Sequence, residues 1–204
     1  MSDRIRLLLV DDQALVRGAM GALLGLEPDL KVVGEAADGG AAEAEAARLR
    51  PDVCLMDIQM AGVDGIAATV AVRAASPATR VLIVTTFARA GYLRSAMDAG
   101  AAGFIVKDAP PAELAAAVRR VHAGARVVDP ALAAESLFDG ANPLTEREQQ
   151  VLRLSAGGAP VAAIAREVFL SPGTVRNYLS TSIGKTGAAN RVQAARIARE
   201  KGWI

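Results

Sequence analysis

The first 122 residues alternate between two hydrophobic periods. Ile5–Val10 (IRLLLV), Lys31–Gly34 (KVVG), Val53–Met56 (VCLM), Val81–Val84 (VLIV) and Phe104–Val106 (FIV) are short runs rich in Val, Ile and Leu. Runs of this length, bounded by Asp, Gly or Pro, predict buried strands. Between them lie Ala-rich stretches with apolar residues at helical spacing. Leu15, Val16, Ala19, Met20, Leu23 and Leu24 form the first such stripe, and Leu114, Val118 and Val121 the last. Five strands alternating with five helices predict an α/β fold, a doubly wound five-stranded parallel sheet covered on both faces.

From about Gly124 to Asn142 the pattern loosens around Pro130 and Gly140, with a short helix expected over Pro130–Phe138. After it the period is helical throughout. Thr145 and Glu148 have the spacing of a capping box, and Val151, Leu152 and Leu154 form the apolar side of the helix they open. A short helix is expected from about Val161 to Val168, with Ala162, Ile164, Ala165 and Val168 inward. A turn follows, with Ser171 as N-cap before Pro172. The next helix runs to about Lys185, and a last one from about Asn190 to Lys201. Two short helices joined by a tight turn predict a helix-turn-helix. The expected organisation is therefore an α/β domain over 1–122, a linker over 123–141 and an all-α domain over 142–204.

Composition narrows the function. The chain has 204 residues, 52% of them hydrophobic, enough for two packed units. Its single cysteine, Cys54, excludes an internal disulfide and a cysteine-based zinc cluster, and its single histidine, His122, leaves little for a catalytic triad. No apolar stretch approaches the roughly 18 residues of a spanning helix. Met1–Val10 is interrupted by Arg4 and Arg6, unlike a secretory signal. A cytoplasmic protein with no membrane partner is expected. Charge is divided unevenly: residues 1–122 hold 13 basic and 15 acidic side chains, whereas 142–204 hold 9 and 4. A basic helical module behind an acidic α/β module points to a nucleic-acid binder joined to something else.

Ligands of a doubly wound sheet sit outside the carboxyl ends of its strands. Asp11 and Asp12 follow the first expected strand, Asp57 the third, Thr85 and Thr86 the fourth, and Lys107 the fifth. Three converging carboxylates repel one another, and a hard divalent cation such as Mg²⁺ relieves that repulsion. Lys107 would pair with an added phosphoryl oxygen and Thr85 would hydrogen-bond another. Taken singly, Asp12 also reads as a helix cap, and Asp57 and Lys107 as surface charges. Their common register at the strand ends is what favours a site. An Asp-based phosphatase needs a second acid two residues after the nucleophile, where Gln59 stands. Ile183–Thr186 ends like a phosphate-binding loop, but Leu179 occupies a position that needs glycine.

LLLVDD (7–12), DVCLMDIQMAGVDG (52–65), VLIVTTF (81–87) and GAAGFIVKDA (100–109) resemble, in order and spacing, the CheY-like receiver domain of two-component response regulators. The resemblance implies that Asp57 accepts a phosphoryl group from a sensor histidine kinase. It further implies that Asp12, Asp57 and the Gln59 carbonyl hold Mg²⁺, with Asp11 bonded through water. Thr85 and Phe104 match the switch pair, Phe104 turning inward as Thr85 moves towards the phosphate, and Lys107 matches the phosphate-pairing lysine.

On the helix from Pro172, Val175, Leu179 and Ile183 share one stripe, with Arg176, Asn177, Ser180 and Thr181 on the other side. The polar set suits a major groove. LTEREQQVLRL and IAREVFLSPGTVRNYLSTSIGKTG, with Arg191–Ala194 after them, are similar to the LuxR/NarL-type DNA-binding domain. By that resemblance Thr174, Lys185 and Arg191 contact the DNA backbone, and Arg176, Asn177 and Ser180 face bases. Tyr178 stands where His is common and Arg176 where Lys is common. The whole chain then reads as a transcriptional response regulator rather than an enzyme. Its expected partners are a histidine kinase, double-stranded operator DNA and a second copy of itself on activation, with RNA polymerase a further candidate. Receiver pairing would use the first and fifth helices, around Arg17–Met20 and Ala116–Arg120, or the face carrying Phe104. Ala194, Ile197 and Ala198 would either join two DNA-binding modules or pack within one. The competing reading is a DNA binder controlled independently of phosphorylation, and the complete set of pocket residues weighs against it.

Overall fold

The computed structural model describes residues 4–86, 90–129, 132–133 and 142–204, so the helix expected over Pro130–Phe138 lies almost wholly outside the described residues. The chain divides into two compact units, an α/β unit and a helical one.

The α/β unit follows the order β1 (Ile5–Val10), α1 (Ala14–Gly25), β2 (Leu30–Ala36), α2 (Gly39–Leu49), β3 (Val53–Met56), α3 (Gly65–Ala75), β4 (Arg80–Thr85), α4 (Ala90–Asp98), β5 (Gly103–Val106), α5 (Pro111–His122) and β6 (Val127–Val128). The strands form one parallel sheet in the order β2-β1-β3-β4-β5-β6. The expected sheet of five strands is thus corrected to six. Val127 and Val128, inside the segment read as linker, pair with Gly103 and Phe104 of β5. A two-residue strand is too short to create a period, which is why the pattern did not reveal it.

Alternation along the strands supplies two buried faces. Leu7, Leu9, Val53, Leu55, Leu82, Val84 and Ile105 pack with Met20 and Leu24 of α1 and with Leu114, Val118 and Val121 of α5. The intervening Leu8, Val10, Cys54, Met56, Val81, Ile83 and Phe104 are buried as well. A sheet covered on both sides demands the continuous apolar runs seen in the sequence. Helix α1 departs from its expected stripe. Only Met20 and Leu24 are buried, while Leu15 (87% exposed), Leu23 and Leu26 face solvent.

The helical unit comprises α6 (Glu146–Ala156), α7 (Val161–Glu167), α8 (Pro172–Thr186) and α9 (Arg191–Glu200). Its core joins Leu144, Val151, Leu152, Ile164, Ala165, Val168, Val175, Leu179, Ala194 and Ala198. Ala194 and Ala198 therefore pack within their own module, whereas Ala162 is exposed, not inward. The expected caps form. Thr145 and Glu148 complete a capping box on α6, and Ser171 accepts from the Thr174 N–H on α8; Asn190, expected only as the approximate start of its helix, also caps α9, accepting from the Gln193 N–H. Among the described residues, no helix is long and apolar enough to cross a membrane.

Candidate functional site

The strand order places β1 between β2 and β3, so the crossovers diverge on either side of the β1/β3 pair, and a ligand crevice opens there. The two ladders extend one residue past the strands. The Asp11 N–H donates to the Ala36 carbonyl (3.1 Å) and the Asp57 N–H to the Val10 carbonyl (2.9 Å), which fixes both aspartates at the sheet edge. Lys107 is held likewise, its N–H donating to the Thr85 carbonyl at 2.8 Å. Asp11, Asp12 and Asp57 each bring a carboxylate oxygen within 4.8 Å of the others. Lys107 Nζ lies 2.6 Å from Asp11 Oδ2 and 3.1 Å from Asp57 Oδ2. The expected convergence of carboxylates and ammonium is what the fold produces.

Electrostatics make this a demanding place for a carboxylate. Burial pushes the Asp57 carboxyl above the ordinary carboxylate range. The Lys107 ammonium and the Ile58 N–H, which donates to Asp57 Oδ1 at 2.8 Å, work against that rise, and the Asp11 charge adds to it. Asp11 Oδ1 accepts from the Gln13 N–H at 2.9 Å. Asp11 Oδ2 is buried and accepts no hydrogen bond, Lys107 Nζ standing 2.6 Å away as its ion-pair partner. Three carboxylates against one ammonium leave the pocket negative, with an oxygen lone pair unused. An oxygen-seeking divalent cation fits that donor set. Asp12 and Gln59 are exposed, and Thr85 is buried at the end of β4, its carbonyl accepting from the Lys107 N–H. Phe104 is 1% exposed, its ring enclosed.

Two residues of the pocket escaped the sequence reading. A Cβ on Gly65 would collide with the Asp57 carbonyl, so only glycine lets α3 start this close to Asp57. The available signal was a glycine directly after Asp64, whose side chain caps α3. Arg17 reaches back from α1, donating to the Asp11 carbonyl at 2.6 Å and to Glu35 at 2.9 Å.

In the helical unit, Arg176, Asn177, Ser180 and Thr181 are exposed together on α8, opposite buried Val175 and Leu179. Ile183 is half-buried against the same core, and its neighbour Ser182 is fully buried, donating its hydroxyl to the Tyr178 carbonyl at 2.8 Å. The other predicted DNA contacts are tethered within the module. Thr174 Oγ1 lies 2.9 Å from Ser171 Oγ, Lys185 Nζ is 2.7 Å from Glu148 Oε2, and Arg191 donates to the Ala159 carbonyl at 3.1 Å. The turn before α8 carries Phe169 at φ 55°, a left-handed backbone for a bulky residue, with its side chain exposed.

Comparison with known proteins agrees with this division. Residues 7–119 match the response regulator receiver domain family, and residues 142–198 match the luxR family of bacterial regulatory proteins. The uncharacterized transcriptional regulatory protein YvfU of Bacillus subtilis is 46% identical over 200 residues, covering 98% of this chain and 100% of YvfU. The transcriptional regulatory protein DesR of the same organism is 42% identical over 200 residues, covering 98% and 99%. Among solved structures, the response regulator ChrA of a heme-sensing two-component system matches with a TM-score of 0.58 and 33% identity over 100% of both chains. With both of its units matched and its relatives alike along almost their full length, the chain belongs to the LuxR/NarL family of response regulators, transcriptional regulators that join a receiver domain to a DNA-binding helix-turn-helix.

Proposed function

We propose that Asp57 is the phosphoacceptor, that a sensor histidine kinase supplies the phosphoryl group, and that phosphorylation promotes dimerisation and operator binding. The observation that carries this reading is Lys107 Nζ, 2.6 Å and 3.1 Å from the carboxylates of Asp11 and Asp57 at the ends of three strands. The description of ChrA as part of a two-component system supports a kinase partner. Asp12, Asp57 and the Gln59 carbonyl would hold Mg²⁺, with Asp11 bonded to it through water. The metal, when bound, neutralises charge on the transferring phosphoryl oxygens. An Asp57 carboxylate oxygen forms the bond to phosphorus while the bond to the donor's leaving group breaks, the electron pair departing with that group. Lys107 then pairs with a phosphoryl oxygen, and Thr85 donates its hydroxyl to another. Phe104 turns with Thr85 as the second half of the switch.

In the helical module, Arg176, Asn177 and Ser180 read bases while Thr174, Lys185 and Arg191 contact the DNA backbone. The working boundaries are 1–122 for the receiver, 123–141 for the linker and 142–204 for the DNA-binding domain. The protein acts in the cytoplasm as a regulator without an enzymatic reaction of its own, with RNA polymerase a further candidate partner. Incubation with Mg²⁺ and acetyl phosphate should add one phosphoryl group, detected by intact-mass measurement. Asp57→Ala should abolish the addition, as should omission of Mg²⁺. Full labelling of the Asp57→Ala protein would remove this site.

A further inference from the structure

We propose that Arg17 is a positioning residue of the acidic pocket, one that orients Asp11 and Asp12 for the cation; this rests on the Mg²⁺ reading above. Arg17 sits one turn into α1, its own N–H donating to the Gln13 carbonyl at 3.0 Å. Its side chain is only 17% exposed, turned back towards the sheet edge rather than out into solvent. One arm of the guanidinium donates to the main-chain carbonyl of Asp11 (2.6 Å) and another to Glu35 Oε2 (2.9 Å). Glu35 lies opposite Leu9 in the β1–β2 ladder. Arg17 therefore clamps the β1–α1 turn to the neighbouring strand.

The bonded carbonyl is the one that joins Asp11 to Asp12. A peptide unit is planar, so restraining its oxygen restrains the plane that contains the Cα atoms of both Asp11 and Asp12. On its other side Asp11 is held by the bond from its N–H to the Ala36 carbonyl. With both main-chain groups of Asp11 restrained, the two carboxylates enter the pocket from a preset frame. Arginine suits this task because its planar fork can satisfy a carbonyl and a carboxylate at once.

Charge and positioning predict opposite signs, which makes the role testable. A guanidinium beside the pocket repels a dication, so a purely electrostatic Arg17 would weaken Mg²⁺ binding, and its removal would tighten it. A positioning Arg17 has the reverse effect. The experiment is calorimetric titration of Mg²⁺ into the unphosphorylated full chain carrying Arg17→Ala, Arg17→Met or Arg17→Lys. Residues that orient metal ligands typically affect affinity 10–100-fold, so Arg17→Ala and Arg17→Met should weaken Mg²⁺ binding about tenfold. Arg17→Lys, which keeps a donor for the Asp11 carbonyl, should recover most of it. Met preserves the packing of the side-chain stem, so it decides the matter if the Ala variant does not fold. Equal or tighter Mg²⁺ binding by Arg17→Met overturns the proposal while leaving the Mg²⁺ site standing. Failure of the unsubstituted protein to bind Mg²⁺ overturns the site, and the role of Arg17 with it.

Discussion

A carboxyl as enclosed as Asp57, with Asp11 beside it, gives up its proton less readily than an exposed one. Its folded carboxyl holds a proton more tightly than the ordinary value of 3.8 implies, because burial and the Asp11 charge outweigh Lys107 and the Ile58 N–H. The sign for stability follows from linkage. The stabilising contribution is fully present below the unfolded carboxyl value and is lost as pH rises through the higher folded one. At neutral pH without a divalent cation, the site therefore works against the fold it belongs to, a common feature of functional sites. Asp57→Asn removes the charge while keeping the shape. It should raise the Tm of the receiver at pH 7 by roughly 2–5 °C, the scale of about 1 kcal/mol in a domain of this size. The gap should narrow as pH falls towards 4 and again when Mg²⁺ is added, since the cation stabilises the unsubstituted protein more. Thermal scans with and without EDTA check this, and an Asp57→Asn protein less stable than its parent in EDTA would mean that Lys107 dominates instead.

At the scale of the element, α8 combines two kinds of cation. Arg176 stands exposed on the outer face, whereas Lys185 pairs with buried Glu148 on α6 and has a side chain 32% exposed. Burial alone would raise the Glu148 carboxyl, but the hydrogen bonds from Lys185 and Thr145 more than compensate and hold it below the ordinary 4.5. Lys185→Ala should accordingly destabilise the helical module by about 1–2 kcal/mol, less than the roughly 3–5 of a fully buried pair, because solvent reaches the lysine. Arg176→Ala should leave stability within about 0.5 kcal/mol. It should instead reduce operator affinity by about 1–3 kcal/mol and relax preference at one base. Urea unfolding beside binding titrations on operator and random DNA separates the two effects. Equal loss on both DNAs for Arg176→Ala would refute its place among the base-facing residues. These elements also mark the reach of the sequence. Caps such as Thr145–Glu148 and Ser171–Thr174 were legible because both partners lie within four residues. So were β1, β3 and the aspartates that end them, because burial on both faces forces continuous apolar runs. The Lys185–Glu148 pair spans 37 residues, the Arg17 clamp uses a main-chain carbonyl, and β6 has only two residues. None of these leaves a periodic trace.

For the whole molecule, the problem is how a charge placed on one unit alters DNA binding by the other. A single helical module with a few base contacts binds weakly at physiological salt, whereas two modules on adjacent half-sites gain from effective concentration. Pairing of receivers would supply the second module. The helical unit offers less for this purpose than its sequence promised, since Ala194 and Ala198 are fully buried in its own core. The α1 surface offers more, because Leu15 and Leu23 are exposed on it while Arg17 is occupied at the pocket. On the proposed reading, phosphorylation would add about 1.5 to 2 negative charges within reach of Lys107 and the ends of β4 and β5, and would bias the receiver towards a second conformation that a partner could bind. Sedimentation of the full chain at micromolar concentration, with Mg²⁺ and with or without the phosphate mimic beryllofluoride, should therefore show a monomer becoming a dimer. Operator affinity should rise in parallel, and Asp57→Ala should abolish both changes. A mass that stays monomeric in both states while operator affinity still rises would replace dimerisation with release of an inhibited DNA-binding face.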